Sequence, residues 1–251
     1  MATLRYLPLP NKHVTPYIRP DKRESKAMTI VTGFRCANGI VLGADRQMSV
    51  PGAHKYHEKK IRVELGDGWN ILFGFSGLPS VAREAQEKIM AELRTQDGPS
   101  IENLKKAADT VLTSMSLGRQ YGDVQIELLI GWAAIFEKPE LLKFDGKGLH
   151  TADDFTVLGV GESSLIRFLA DNLYQPRLNT DFGKMVAVYL IHKASQYVDH
   201  CGGPIDVVTL TDCDENYEEL PESEIKELLE GFKENEERLV EVLIHPLASP
   251  T

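Results

Sequence analysis

The hydrophobic pattern changes character at Thr29. From there Thr29-Ile-Val-Thr-Gly-Phe34 leads through Ala37-Asn-Gly39 into Ile40-Val-Leu-Gly-Ala44. Asn38-Gly39 between two apolar runs predicts a β-hairpin, because both central residues of a tight turn favour positive φ. A third strand is expected around Lys60 to Leu65 and a fourth around Trp69 to Phe75, parted by Gly66-Asp67-Gly68. Together the four read as an antiparallel meander. Helical spacing follows over Leu78 to Leu93 and over Ser100 to Met115, the second behind Pro99 and capped by Ser100. Further strands are predicted at Val124 to Ala134, Leu141 to Phe144 and Phe155 to Leu158. Helices are predicted over about Glu162 to Tyr174 and Asp181 to Tyr197, a strand over Ile205 to Leu210, and a charged helix after Pro221. Strands and helix pairs that segregate in this way indicate an α+β fold, not alternating βαβ units.

Residues 1–28 do not share this texture. Pro8, Pro10, Pro16 and Pro20 interrupt them, and Arg5, Lys12, Arg19, Lys22, Arg23 and Lys26 face only Asp21 and Glu24. Such a stretch builds no core. It is expected to be a flexible leader or a removable extension ahead of one domain spanning 29–251. In the last helix Ile225, Leu228 and Leu229 recur at helical spacing among glutamates, so its acidic face is expected to lie in water.

Composition narrows the function. The 251 residues carry 28 Lys and Arg against 37 Asp and Glu, a net charge of -9, which argues against general nucleic-acid binding. Cys36, Cys201 and Cys213 contain no CxxC pair and cannot all pair within the chain, so a reducing, cytoplasmic setting is expected. No apolar run reaches the roughly 20 residues that span a bilayer.

Several local patterns suggest chemistry and then fall short of it. His54 and His57 with Glu58 lack further clustered ligands, so no metal or other cofactor is expected. Gly159-Val-Gly161-Glu-Ser-Ser lacks the third glycine and the lysine of a phosphate loop and reads as a strand-to-helix turn. Gly74-Phe-Ser76-Gly77 lacks the full spacing of a serine elbow, leaving Ser76 structural.

Thr29, Asp45 and Lys60 remain. By residue type alone they are a strand residue, a turn residue and a surface charge. They can also divide one task. A threonine hydroxyl needs a base, and its own α-amine serves if the residue comes first, because that amine's ordinary pKa is about 7.7 to 8.0. A neighbouring Lys60 ammonium would favour the neutral amine and steady a developing alkoxide, with Asp45 holding the lysine charged and oriented.

The segments Thr29-Ile-Val-Thr-Gly33, Asn38-Gly-Ile-Val-Leu-Gly-Ala-Asp45-Arg46, Lys59-Lys60-Ile61 and Leu72-Phe-Gly74-Phe-Ser-Gly77 closely resemble the amino-terminal half of proteasome β subunits and their bacterial and archaeal relatives. These are N-terminal-nucleophile threonine hydrolases. In that family the nucleophile opens the first strand and an acidic residue follows sixteen positions on, as Asp45 follows Thr29. The family's lysine corresponds to Lys60 with a loop one residue shorter, and the glycine whose N–H faces the oxyanion corresponds to Gly74. Farther on, Gly202-Gly-Pro-Ile-Asp-Val-Val-Thr209 resembles the family's Gly-Gly-x-Ile-Asp-Val strand.

The resemblance implies a four-layer αββα sandwich, two antiparallel sheets between helix pairs. It also implies a threonine endopeptidase acting on peptides or unfolded proteins, homo-oligomeric rings and an ATPase unfoldase as partner. The supporting Asp and Ser of the family map to Asp199, displaced by one position, and to Cys201. Val160 stands where the family carries a serine, and Met28 where self-processing subunits carry glycine. These departures keep open a non-catalytic ring or scaffold subunit, or a related amidase or transpeptidase. Activity is expected only after residues 1–28 are removed.

Overall fold

A computed structural model describes residues 29–48, 55–117, 126–135, 137–145, 148–152, 154–159, 164–175, 178–211 and 217–244. The leader with Met28, His54, Val160 and Cys213 therefore lie outside the described residues, as do Val124 and Glu162, the expected first residues of a strand and a helix. The strands are β1 (Ile30–Cys36), β2 (Gly39–Asp45), β3 (Gln47–Met48), β4 (Tyr56–His57), β5 (Ile61–Gly66), β6 (Trp69–Ser76), β7 (Glu127–Ala134), β8 (Glu140–Phe144), β9 (Leu149–Thr151), β10 (Phe155–Gly159), β11 (Ile205–Thr211) and β12 (Tyr217–Glu219). The helices are α1 (Pro79–Leu93), α2 (Ile101–Leu117), α3 (Ser164–Leu173), α4 (Thr180–Tyr197) and α5 (Glu222–Ile244).

Two antiparallel five-stranded sheets carry the fold, ordered β10-β1-β2-β11-β12 and β5-β6-β7-β8-β9, with β3 and β4 forming a separate ribbon. The expected four-strand meander is thus two hairpins on two sheets. After β2 the chain leaves through the ribbon and enters the facing sheet at β5, a choice the alternation of apolar residues does not encode.

Period-two alternation sorts side chains between layers. Ile30 and Phe34 of β1 pack with Ile166 of α3, Ala187 and Ile191 of α4 and Ile225 of α5. Ile71 and Phe73 of β6 and Trp132 of β7 pack against Ala82 and Ile89 of α1 and Leu104 of α2. The intervening positions, Val31, Leu42, Leu72 and Leu129, meet between the sheets. Three apolar interfaces separate four layers, giving the αββα sandwich. The central strands are covered on both faces and read as nearly continuous apolar runs for that reason. Trp132 is fully buried, stacks on Trp69 at 5.9 Å, and donates its indole N–H to Glu137 at 2.7 Å.

The opening hairpin forms, but its turn sits one residue earlier than expected. Cys36 pairs with Gly39, so Ala37 and Asn38 occupy the loop, and neither has positive φ. Asn38 is held by the start of α4, where its carbonyl accepts Thr180 N–H at 2.9 Å and its amide donates to Thr180 Oγ1 at 3.3 Å. Other end signals match: Ser100 Oγ accepts Asn103 N–H at 3.2 Å. The last helix is amphipathic as read, with Ile225 buried and Glu222, Glu224, Glu227 and Glu230 exposed, and it leans on α4 through Lys193 and Glu236 at 2.8 Å. No helix among the described residues is long and apolar enough to cross a membrane.

Candidate active site

Thr29 directly precedes β1, and Asp45 ends the neighbouring strand β2. Val31 pairs with Ala44, which brings the two residues to the same end of one hairpin. Lys60 reaches the same point from the other sheet, immediately before β5. All three are buried, with exposures of 2% for Thr29, 0% for Asp45 and 1% for Lys60.

Asp45 organises the cluster. Its Oδ1 accepts the Thr29 hydroxyl at 3.0 Å, the Ile30 N–H at 3.0 Å and the Lys60 ammonium at 2.6 Å. Its Oδ2 accepts the Gly202 N–H at 3.0 Å. A carboxylate taken out of water is tolerated only when its lone pairs are satisfied in this way. Lys60 also donates to the Gln47 carbonyl at 2.7 Å, which ties it to β3. Burial pushes its pKa below the ordinary lysine value, and the Asp45 carboxylate opposes that shift. Its proton is therefore held by the pairing with Asp45, and the ammonium lies one carboxylate oxygen away from the threonine hydroxyl.

Gly74 lies in β6 between Ile61 of β5 and Leu129 of β7. A Cβ there would stand 2.8 Å from Val31 Cγ1, so glycine lets the sheets approach at the residue two beyond Thr29. Cys201 is buried, and its thiol is pushed up to about 12, first by burial and next by the Asp45 charge. Asp199 is exposed in the turn that follows α4 and makes none of the hydrogen bonds that converge on Asp45.

The Cys201 shift has a sign that can be tested. A folded pKa near 12 against an ordinary 9.0 means the fold favours the neutral thiol. That contribution is complete below pH 9 and is lost as pH rises from 9 to 12. In native protein at pH 8, iodoacetamide is expected to leave Cys201 unmodified and to alkylate it after unfolding, read by peptide mass spectrometry.

Other residues complete the surroundings without having been read in the sequence as part of the site. Arg46 grips Asp206 through its Nε at 2.9 Å and through its terminal nitrogen, clamping the end of β2 to β11 beside Asp45. Glu127, at the start of β7, accepts the Gly159 N–H at 2.8 Å. Gly159 has φ of 75°, and a Cβ on it would lie 2.3 Å from the Thr29 carbonyl oxygen. Only glycine fits there. Gly159→Ala is expected to lower the unfolding free energy by about 2–4 kcal/mol, from left-handed strain and overpacking together, measured by urea denaturation. The strand-to-helix turn read at Gly159 is thus built against the Thr29 backbone. Ser76, 3% exposed at the end of β6, is opposite Glu127 in the ladder. Among the described residues no group of His, Cys, Asp and Glu could hold a metal ion.

A hydroxyl, an ammonium and a carboxylate gathered at the residue just before a strand, between two antiparallel sheets, make a distinctive arrangement. Comparison with known proteins matches residues 25–210 to the family described as proteasome subunit. The chain belongs to the proteasome subunit family. It is 28% identical over 204 residues to proteasome subunit beta 1 of Thermococcus kodakarensis, covering 80% of this chain and 97% of that one. It is 24% identical over 208 residues to proteasome subunit beta of Methanothrix thermoacetophila, covering 81% and 97%. Among solved structures it resembles Anbu, an ancestral β-subunit, from Yersinia bercovieri, with a TM-score of 0.71 at 15% identity over 89% of this chain and 99% of that one. A helical assembly of the Anbu complex from Pseudomonas aeruginosa gives 0.65 at 14% identity, covering 89% and 98%. These structural likenesses are likenesses of fold.

Proposed function

We propose that this member of the proteasome subunit family is a threonine peptidase whose nucleophile is Thr29 once its α-amine is free. The observation that carries the reading is the convergence of the Thr29 hydroxyl and the Lys60 ammonium on one buried oxygen of Asp45. In the 251-residue chain the Thr29 nitrogen is a peptide nitrogen that cannot act as a base, so residues 1–28 must be absent from the active form.

In the proposed mechanism Thr29 Oγ attacks a peptide carbonyl and its proton passes to the α-amine. Lys60 favours the neutral amine and steadies the forming alkoxide. The Gly74 N–H receives the oxyanion, a role taken from the family resemblance. The α-ammonium then gives its proton to the leaving nitrogen as the C–N bond breaks, leaving an ester on Thr29. Water, deprotonated by the same amine, hydrolyses that ester. Asp199 and Cys201 have the supporting places by resemblance; the burial of Cys201 beside Asp45 and Lys60 supports such a place, and the exposure of Asp199 does not.

Residues 29–251 are taken as the working domain. Cytoplasmic assembly into a homo-oligomeric ring, fed with unfolded protein by an ATPase, is the corresponding cellular setting. A non-catalytic ring or scaffold subunit is the second reading, favoured by the peptide bond that occupies the Thr29 nitrogen in the full chain. The two are separated by comparing a chain that starts at Thr29 with the 251-residue chain on fluorogenic peptides. Cleavage by the shorter chain alone is expected, and inactivity of both as folded assemblies would reject the peptidase.

A further inference from the structure

A cavity of about 220 Å³ opens far along β10 from Thr29, where the two sheets of the sandwich end. Its walls come from β8, β9, β10 and α3. β9 and β10 are the outermost strands of their respective sheets, so the recess is the mouth of the space between them. Lys143, His150 and Arg167 line it with the hydroxyl-bearing Thr151 and Thr156, and no carboxylate is among the lining residues.

This charge distribution runs against the balance of the whole chain, in which acids outnumber bases by 37 to 28. Lys143 and His150 are direct cross-strand partners, so β8 and β9 present both side chains on one face of the sheet. Arg167 adds a third basic group from a different layer, and among the described residues it has no ion-pair partner. Asp145 lies beside the recess, its Oδ1 3.8 Å from His150 Nε2. His150 and Arg167 are exposed at the mouth of the recess, and Lys143 is half-buried.

We propose that this recess is a binding site for a small oxyanion, a phosphate or a carboxylate. Arg167 supplies a planar donor fork suited to either group, Lys143 a point charge, and the threonine hydroxyls neutral donors. The volume is below the range of about 300–1,000 Å³ usual for drug-sized ligands, which points to an inorganic or small organic anion over a nucleotide. A free anion and an acidic side chain from a second copy of the chain present the same chemistry.

The test uses the full chain, with calorimetric titration of inorganic phosphate and of citrate at constant ionic strength against chloride, alongside light scattering. Arg167→Gln and Lys143→Gln are compared with Arg94→Gln, which removes an equal charge at the exposed end of α1. For a free anion, saturable binding is expected, weakened about tenfold or more by each cavity substitution and unchanged by Arg94→Gln, with assembly mass constant. For a carboxylate from a second copy, the cavity substitutions lower the assembly mass instead. If neither anion affinity nor mass responds to Arg167→Gln and Lys143→Gln, or if Arg94→Gln acts equally, the proposal fails.

Discussion

Thr29→Ala, made in a chain that begins at residue 29, is expected to lower peptide cleavage by about four to six orders of magnitude, the scale of losing a nucleophile. The fold should scarcely respond. The side chain contributes one buried hydrogen bond, at 3.0 Å to Asp45 Oδ1, worth about 1 kcal/mol. Asp45 keeps its bonds to Ile30, Lys60 and Gly202, so its buried charge is not abandoned. Thr29→Ser is the informative companion, since it preserves both the hydroxyl and the α-amine and should retain measurable turnover. Equal loss in both variants, or activity in the alanine variant, would move the nucleophile elsewhere.

Lys60→Ala should act on activity and stability together. Its ammonium and the Asp45 carboxylate are both shut away from water at 2.6 Å, and removing one partner leaves the other charge buried without compensation. Breaking such a pair costs about 3–5 kcal/mol. A fall of that size in urea denaturation is expected, against which Thr29→Ala serves as the nearly neutral reference. A paired substitution, Asp45→Asn with Lys60→Met, removes both charges and should recover part of the stability while remaining inactive. Recovery of stability without activity separates the structural contribution of the ion pair from its proposed part in proton transfer.

Much of this site was legible because the first two strands are adjacent in sequence. The sixteen-residue separation of Thr29 and Asp45 is the length of a hairpin that returns beside its own start, and Val31 pairs with Ala44 accordingly. Lys60 was legible only through family resemblance, because local pattern does not say that β5 belongs to the facing sheet. The same blindness produced the expected four-strand meander. Apolar alternation reports which faces are covered and is silent about which strands are neighbours. The turn at Ala37 and Asn38 was missed by one residue because the Asn38 side chain bonds to Thr180, 142 positions away.

Gly202, Gly159 and Glu127 were also beyond sequence reasoning as members of the site. Gly202 contributes a backbone N–H from 157 positions away, a donor that every residue but proline possesses. The value of Gly159 lies in its φ and its closeness to the Thr29 carbonyl, and neither follows from the Gly159-Val-Gly161 spelling. The four short strands β3, β4, β9 and β12 are two or three residues long, too brief to show a period.

In the proposed enzyme Thr29 joins a nucleophilic hydroxyl to a free α-amine. A peptide epoxyketone reports both, since it bonds to the hydroxyl and to the amine of one residue. The chain beginning at Thr29 should be incubated with such a probe, digested and sequenced by mass spectrometry. A doubly bonded adduct is expected on Thr29 and is expected to be absent from Thr29→Ala; a folded, assembled chain with Thr29 at its terminus and left unmodified would contradict that role.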